Sequence, residues 1–382
     1  MSLLPLLETR RIVLCVGSGG VGKTTTSAAL ALAAAQRGRR VLCLTIDPAR
    51  RLAQSLGIDA MSSDAHEVSR ERFEAAGLHV PGSLTVMMLD TKRTFDELVV
   101  RHASSVEARD RILGNRLYGY LSTSLAGTQE YMAMEKLHAL ERDAAWDLIV
   151  LDTPPTANAL DFLDAPERMV DALDSAVMRW FLTAFEASGK LSLNLLARST
   201  AVILRGIGKL TGAGFLRAMA ELVVELNDLF GGFRERAREV SAALRGPHVA
   251  YVLVTSPDPM SIREVLYFSE RLRELGMPRD AFVVNRVHPQ GGPVPDAHAV
   301  AEGLAEQGLA LGPGADARVL AAAADEARRG ELDALHLEEL RVAMLGGTDR
   351  PLRVDVPAFA RDVHDLRALA AVASVLAGPP PR

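Results

Sequence analysis

The chain is predicted to be an α/β protein: a doubly wound, mostly parallel sheet carrying an inserted helical subdomain. Three observations predict it. First, short apolar, partly β-branched runs recur and end in turn residues. An unbroken run such as Leu148–Leu151 has the profile of a central strand buried on both faces. Second, stretches with helical spacing separate these runs, and strands alternating with helices imply a parallel sheet covered on both sides. Third, two of the separating stretches are much longer than one crossover helix. They divide the chain into a core of residues 1–93, 146–159 and 247–382, and a helical subdomain of residues 94–145 and 160–246.

In order, Ile12 to Val16 reads as a strand. After a glycine-rich turn, SAALALAAAQRG has the Ala/Leu content of a helix, with Gly38 as its C-cap. Val41 to Ile46 is a strand stopped by Asp47-Pro48. From Arg50 to Gly82 the pattern weakens to a helix and a variable loop, and Leu84 to Leu89 returns as a strand. Thr94 to Ala145 is a long helical tract. Leu148 to Leu151 ends in Asp152. A second helical tract runs from Leu160 to Arg245, with Gly231-Gly232 as a break. Val249–Thr255 and Ala281–Asn285 are strands around a helix from Met260 to Gly276. Pro293 to Gly347 is mostly helical, Val354–Val356 is a last short strand, and Asp362 to Leu376 a closing helix.

Composition bounds the partners. The 382 residues are 48% hydrophobic and 24% charged, as in an ordinary soluble protein, and suffice for one elaborated domain or two. A net charge of −5 offers no global attraction to nucleic acid, so no nucleic-acid partner is expected. The two cysteines, Cys15 and Cys43, fall in strands without ligand spacing and read as reduced core thiols, the usage of a cytoplasmic protein. The N-terminus lacks the pattern of a secretory signal, and nowhere are there eighteen uninterrupted apolar residues.

The chemistry concentrates in GSGGVGKTTT, Gly17 to Thr26, between the first strand and the first long helix. This G-x-x-x-x-G-K-[ST] pattern in a strand–turn–helix context is a phosphate site. Gly17, Gly19, Gly20 and Gly22 let backbone N–H groups turn inward with no Cβ in the way, Val21 sits among them in the nucleotide-binding loop, and the helix start adds free N–H groups and partial positive charge. Lys23 is suited to neutralise the β- and γ-phosphates of a nucleotide, and the Thr24 hydroxyl to ligate Mg²⁺, with Thr25 alongside. Asp152, closing a buried strand, is either a turn-forming aspartate or the carboxylate that holds Mg²⁺; a phosphate loop upstream favours the second. Asp47 is either a turn-forming Asp-Pro or the base that orients and deprotonates the attacking water.

GSGGVGKTT, IDPA and DTPPT together resemble the deviant-Walker ATPases of the arsenite-pump and guided-entry type, marked by GKGGVGKTT, STDPA and DTAPTGHT. SPDPMSIRE, VVNRVHP, VPAFARDV and GTQEYMAMEKL resemble further segments of that family, so the likeness runs from Ile12 to Leu376. TIDPARRLAQSLG and DTPPTANALDFLDAP resemble its actinobacterial and myxobacterial branch most. The resemblance implies a P-loop fold of the SIMIBI type and an ATPase that dimerises around nucleotide and changes shape with it. By position it makes Lys23 and Asp47 catalytic, Thr24 and Asp152 metal-binding, and Asn285, Val356 and Pro357 adenine-holding. Read without it, the last three are a strand-end turn and a kinked edge strand.

The departures carry information. Ser18 stands where the family has the lysine that reaches its partner's phosphates. Either a heterodimer with a paralogous ATPase supplies that lysine, or Arg50 or Arg51 supplies the charge, or both arginines are merely solvated. Ala157-Asn158-Ala159 replaces the family's GHT, and the zinc-binding CxxC and the arsenite-binding cysteine triad are absent. The tract from Met169 to Met219, rich in Met, Leu, Ile and Phe, is either a helical core with a homodimer interface or an apolar surface for a client. In guided-entry relatives, such helices from two subunits form a groove for a hydrophobic transmembrane segment. The resemblance therefore implies a targeting ATPase for a membrane-associated client. The alternative is a nucleotide-gated regulatory or scaffolding subunit that hydrolyses little.

Overall fold

The computed structural model describes residues 2–46, 52–53, 56, 63–124, 128–153, 165, 171, 222, 235–290, 296–307, 314–345 and 350–380. Asp47, Arg50, Arg51 and Ala157–Ala159 lie outside the described residues, as does the Met169–Met219 tract apart from Asp171. By internal contacts the chain forms two units: residues 1–88, 145–159 and 247–382, and residues 89–144 with 160–246.

The first unit is built on an eight-stranded sheet. Its strands are β1 (Ile12–Gly17), β2 (Arg40–Thr45), β3 (His66–Glu67), β4 (Ser83–Met88), β5 (Leu148–Asp152), β6 (Val249–Thr255), β7 (Ala281–Val287) and β8 (Leu352–Pro357). Their spatial order is β3-β4-β2-β5-β1-β6-β7-β8, and all neighbours are parallel except the edge pair β3–β4. β1 sits where the winding changes direction, with β5, β2 and β4 on one side and β6 to β8 on the other. Doubly wound sheets open a ligand crevice at the carboxyl ends of their strands at such a point. The continuous apolar runs follow from burial on both faces: every residue of β1, β5 and β6 is buried.

Helices cover the sheet. On one side α1 (Leu4–Thr9), α2 (Lys23–Ala35), α3 (Arg70–Ala75) and the C-terminal helix contribute to one core with Val13, Cys15, Cys43, Val150 and Val252. In α2, Ala28 to Ala35 are all fully buried, which explains the alanine bias: a helix enclosed on all sides must have a slim waist. The short α1, with Pro5 in its first turn, and the two-residue β3 have no counterpart in the sequence expectations.

The 89–144 part of the second unit is four helices rather than one tract: α4 (Thr91–His102), α5 (Val106–Gly114), α6 (Arg116–Ser124) and α7 (Thr128–Arg142). Caps make the breaks. Asp90 accepts from Arg93 N at 2.8 Å, Ser105 from Ala108 N at 3.1 Å, and Asn115 Oδ1 from Leu117 N at 2.9 Å. Tyr118, buried against Phe95, donates to Asp96 at 2.6 Å. Glu135 is buried in the same unit, where Tyr131 donates to it and Arg236 lies 3.4 Å away, so the charge is paired inside a low-dielectric core.

The remaining helices return to the first unit: α8 (Pro259–Glu274), α9 (Ala297–Glu306), α10 (Ala315–Leu345) and α11 (Leu366–Ala377). Ile262, Val265, Phe268 and Leu272, the buried stripe of α8, repeat at helical spacing. No helix among the described residues is long and apolar enough to cross a membrane.

Candidate nucleotide site

β1 ends on Gly17 because nothing larger fits. A Cβ there would lie 2.0 Å from Val254 O of β6, so the chain leaves the sheet pressed against its neighbour. The loop then turns through Gly20 and Gly22, both with positive φ, into α2. Gly22 has φ +97°, and a Cβ on it would meet Asn285 Nδ2 at 2.1 Å. The entry to α2 carries no side-chain cap, a lack it shares with the short α1 and α3. Helices α4, α5, α8, α9 and α11 each carry an Asp or Ser side chain on a first-turn N–H, whereas the N-cap of α2 is Gly22, with no side-chain cap. No side chain caps its first-turn donors, an arrangement that suits an anion.

Lys23 and Thr24 open α2. The Lys23 side chain is folded back over the loop, 7% exposed, and its Nζ donates to Ser18 O at 2.8 Å. Thr24 Oγ1 donates to Asp152 Oδ2 at 2.8 Å. Asp152, 1% exposed at the end of β5, also accepts from Thr45 Oγ1 at 3.1 Å. Two hydroxyls and a carboxylate at the head of a helix form a hard-oxygen donor set of the kind Mg²⁺ takes, usually with water and phosphate completing the shell. The expectations for Thr24 and Asp152 thus fall on side chains that touch. Thr45 was not anticipated. Its signal is the β2–β5 register, which sets Thr45 opposite Asp152, and register requires knowing the sheet order.

The thiol beneath the site is inert. Burial pushes the Cys15 thiol up to about 12, opposed by a hydrogen bond with Ser27, and burial likewise raises Cys43. Both cysteines are core residues of β1 and β2, as expected.

On the other side of the loop lies a cavity of about 780 Å³. Its lining includes Gly20, Gly22, Lys23, Thr24, Thr25 and Thr153 from the loop side, and Asn285, Arg286, Pro357, Phe359 and Arg361 from the ends of β7 and β8. Gly19 is exposed on the loop, and Val21 is buried beneath it. Asn285 Nδ2 donates to Val21 O at 2.8 Å, and Arg286 to Gly20 O at 3.3 Å. Val356 is buried in the core and does not line the cavity, which takes Pro357, Ala358 and Phe359 from that stretch. Lys23, Arg286 and Arg361 against Asp362 give the walls a positive excess that favours an anionic ligand.

A family model described as anion-transporting ATPase matches residues 10–294. The "Putative arsenical pump-driving ATPase 1" of Aquifex aeolicus (strain VF5) is 26% identical over 288 residues, which is 73% of this chain and 64% of that protein. This chain therefore spans just under two thirds of the Aquifex protein. An ATPase GET3 of Malassezia globosa is 25% identical over 276 residues, 72% of each chain. An ATPase get3 of Pyrenophora tritici-repentis is 26% identical over 287 residues, 73% of this chain and 74% of that one.

Proposed function

The chain belongs to the anion-transporting ATPase family, and from that premise we propose that it binds ATP with Mg²⁺ at the head of α2, hydrolyses it as a dimer, and couples nucleotide state to the binding or targeting of a hydrophobic, membrane-associated client. The observation that supports this best is the contact of Thr24 and Thr45 with the buried Asp152, at the foot of a glycine cradle that opens on a cavity of nucleotide size. Thr24 and Asp152 hold the metal, which when bound offsets charge on the phosphates. Lys23 exchanges the Ser18 carbonyl for phosphate oxygens. Asn285 and Pro357 contact the adenine, and Asp47 takes the proton of the attacking water. A three-thiolate arsenite site is not proposed, because the chain has two cysteines and both are buried in strands.

Ser18 favours a second reading. It is 5% exposed, and its Oγ, buried without a hydrogen bond, presents no cation where the family resemblance places one. A chain without that lysine fits a nucleotide-gated regulatory subunit of low turnover, or one arm of a heterodimer whose paralogous partner supplies the lysine. ATP turnover of the purified chain, with and without the paralogue, separates the readings. Turnover alone, lost in Arg50→Ala or Arg51→Ala, supports a self-sufficient homodimer; turnover only with the paralogue supports the heterodimer. Titration calorimetry showing no Mg²⁺-dependent uptake of ATP by the wild type rejects all of these.

A further inference from the structure

Two successive carbonyls of the glycine loop are held by two successive residues of β7. Asn285 takes Val21 O and Arg286 takes Gly20 O, at 2.8 and 3.3 Å. In a regular strand neighbouring side chains point to opposite faces, so one loop should meet only one of them. The chain escapes this rule at Arg286. Among the described residues it is the sole non-glycine with positive φ, at 62°, and the β7–β8 register breaks between Val284 and Val287 around it. A left-handed arginine is a costly conformation that persists where surroundings impose it, and such residues gather at functional sites.

Peptide planarity gives the contact its consequence. In a trans peptide the C=O of one residue and the N–H of the next point in opposite directions. Holding Gly20 O toward β7 aims the Val21 N–H away from that strand, and holding Val21 O toward β7 aims the Gly22 N–H away from it. These are the donors a phosphate cradle needs. A guanidinium on the first carbonyl also polarises that peptide and strengthens its N–H as a donor.

We propose that Arg286 is a positioning residue that orients the loop's N–H groups for the β-phosphate, with Asn285 linking the same loop to the base. The proposal rests on the nucleotide reading above. It predicts an effect confined to ligands that carry a β-phosphate, whether or not the chain hydrolyses ATP unaided.

The test is calorimetric titration of the full chain with ADP·Mg²⁺ and with AMP, for wild type, Arg286→Gly, Arg286→Ala and Arg286→Lys. Arg286→Gly and Arg286→Ala are expected to weaken ADP about three- to tenfold and to leave AMP unchanged, with Arg286→Lys recovering part of the loss. Apo melting of Arg286→Gly should stay level or rise, because glycine relieves the left-handed backbone; a lower melting temperature would mark a merely structural role. Equal weakening of ADP and AMP would show that Arg286 touches base, ribose or α-phosphate instead, and unchanged ADP affinity would show no role; either overturns the proposal. Wild type failing to bind ADP at all is a different failure, that of the nucleotide reading itself.

Discussion

At the level of single residues, the site depends on atoms with no slack. Gly22 combines φ +97° with a neighbour 2.1 Å from where a Cβ would sit. Gly22→Ala therefore meets both the left-handed penalty and the displacement of Asn285 from Val21 O. A loss of about 2–3 kcal/mol is expected in denaturant melts, together with loss of nucleotide binding. Asp152→Asn keeps the shape and a hydrogen bond to Thr24 but removes the charge. It should lower Mg²⁺-dependent ATP affinity at least tenfold, about 1.4 kcal/mol, while binding without Mg²⁺ changes little; calorimetry with and without EDTA reads the difference. These residues were legible in the sequence because glycine, lysine and aspartate at fixed spacing have few other uses. Thr45 and Arg286 were not, because a threonine in a strand and an arginine after it are ordinary until register and a backbone turn bring them to the loop.

At the level of elements, most of the sheet could be read from apolar runs, while the one cap expected, Gly38, lies two residues past the Gln36 C-cap of α2. The exceptions have physical causes. Thr94 to Ala145 reads as one long helical tract because its helices are joined by gaps too short to interrupt apolar periodicity; Asp90, Ser105 and Asn115 start successive helices through side-chain bonds to backbone N–H groups. The alanines of α2 show helix propensity in the sequence but not why they are small. With Ala31 fully buried, Ala31→Leu should overpack the layer and cost about 1–3 kcal/mol in chemical unfolding. A charge clasp joins the starts of β2 and β5: Asp147 accepts from Arg40 N and pairs with its guanidinium at 2.8 Å. Those bonds hold the Asp147 carboxyl down at about 2, below its usual value near 3.9. A depressed folded-state value means the clasp stabilises above about pH 4 and loses its effect as pH falls through about 2. Because the pair is largely exposed to water, its contribution is small. Asp147→Asn should lower the melting temperature slightly at pH 7, with the gap to wild type closing near pH 2.

At the level of the whole molecule, the proposed coupling of nucleotide to client predicts a change of assembly. Sedimentation in a non-hydrolysable ATP analogue with Mg²⁺ should shift the chain to a dimer, and Lys23→Ala should abolish the shift. A deletion within Met169–Met219 should lose a co-purifying membrane client if that tract forms the groove; retention would leave only a core role. The sequence by itself determined the fold class, the family and the glycine-rich loop between β1 and α2, since each is written in local pattern: apolar runs, glycine spacing, one lysine beside one threonine. Only the tertiary structure decided which distant residues meet that loop. Parallel pairing set Thr45 opposite Asp152, and a left-handed turn at the end of β7 brought Asn285 and Arg286 onto adjacent carbonyls. Those contacts join residues more than a hundred, and in two cases more than two hundred and sixty, positions apart. Their geometry arises from strand order and backbone handedness, which no local pattern encodes.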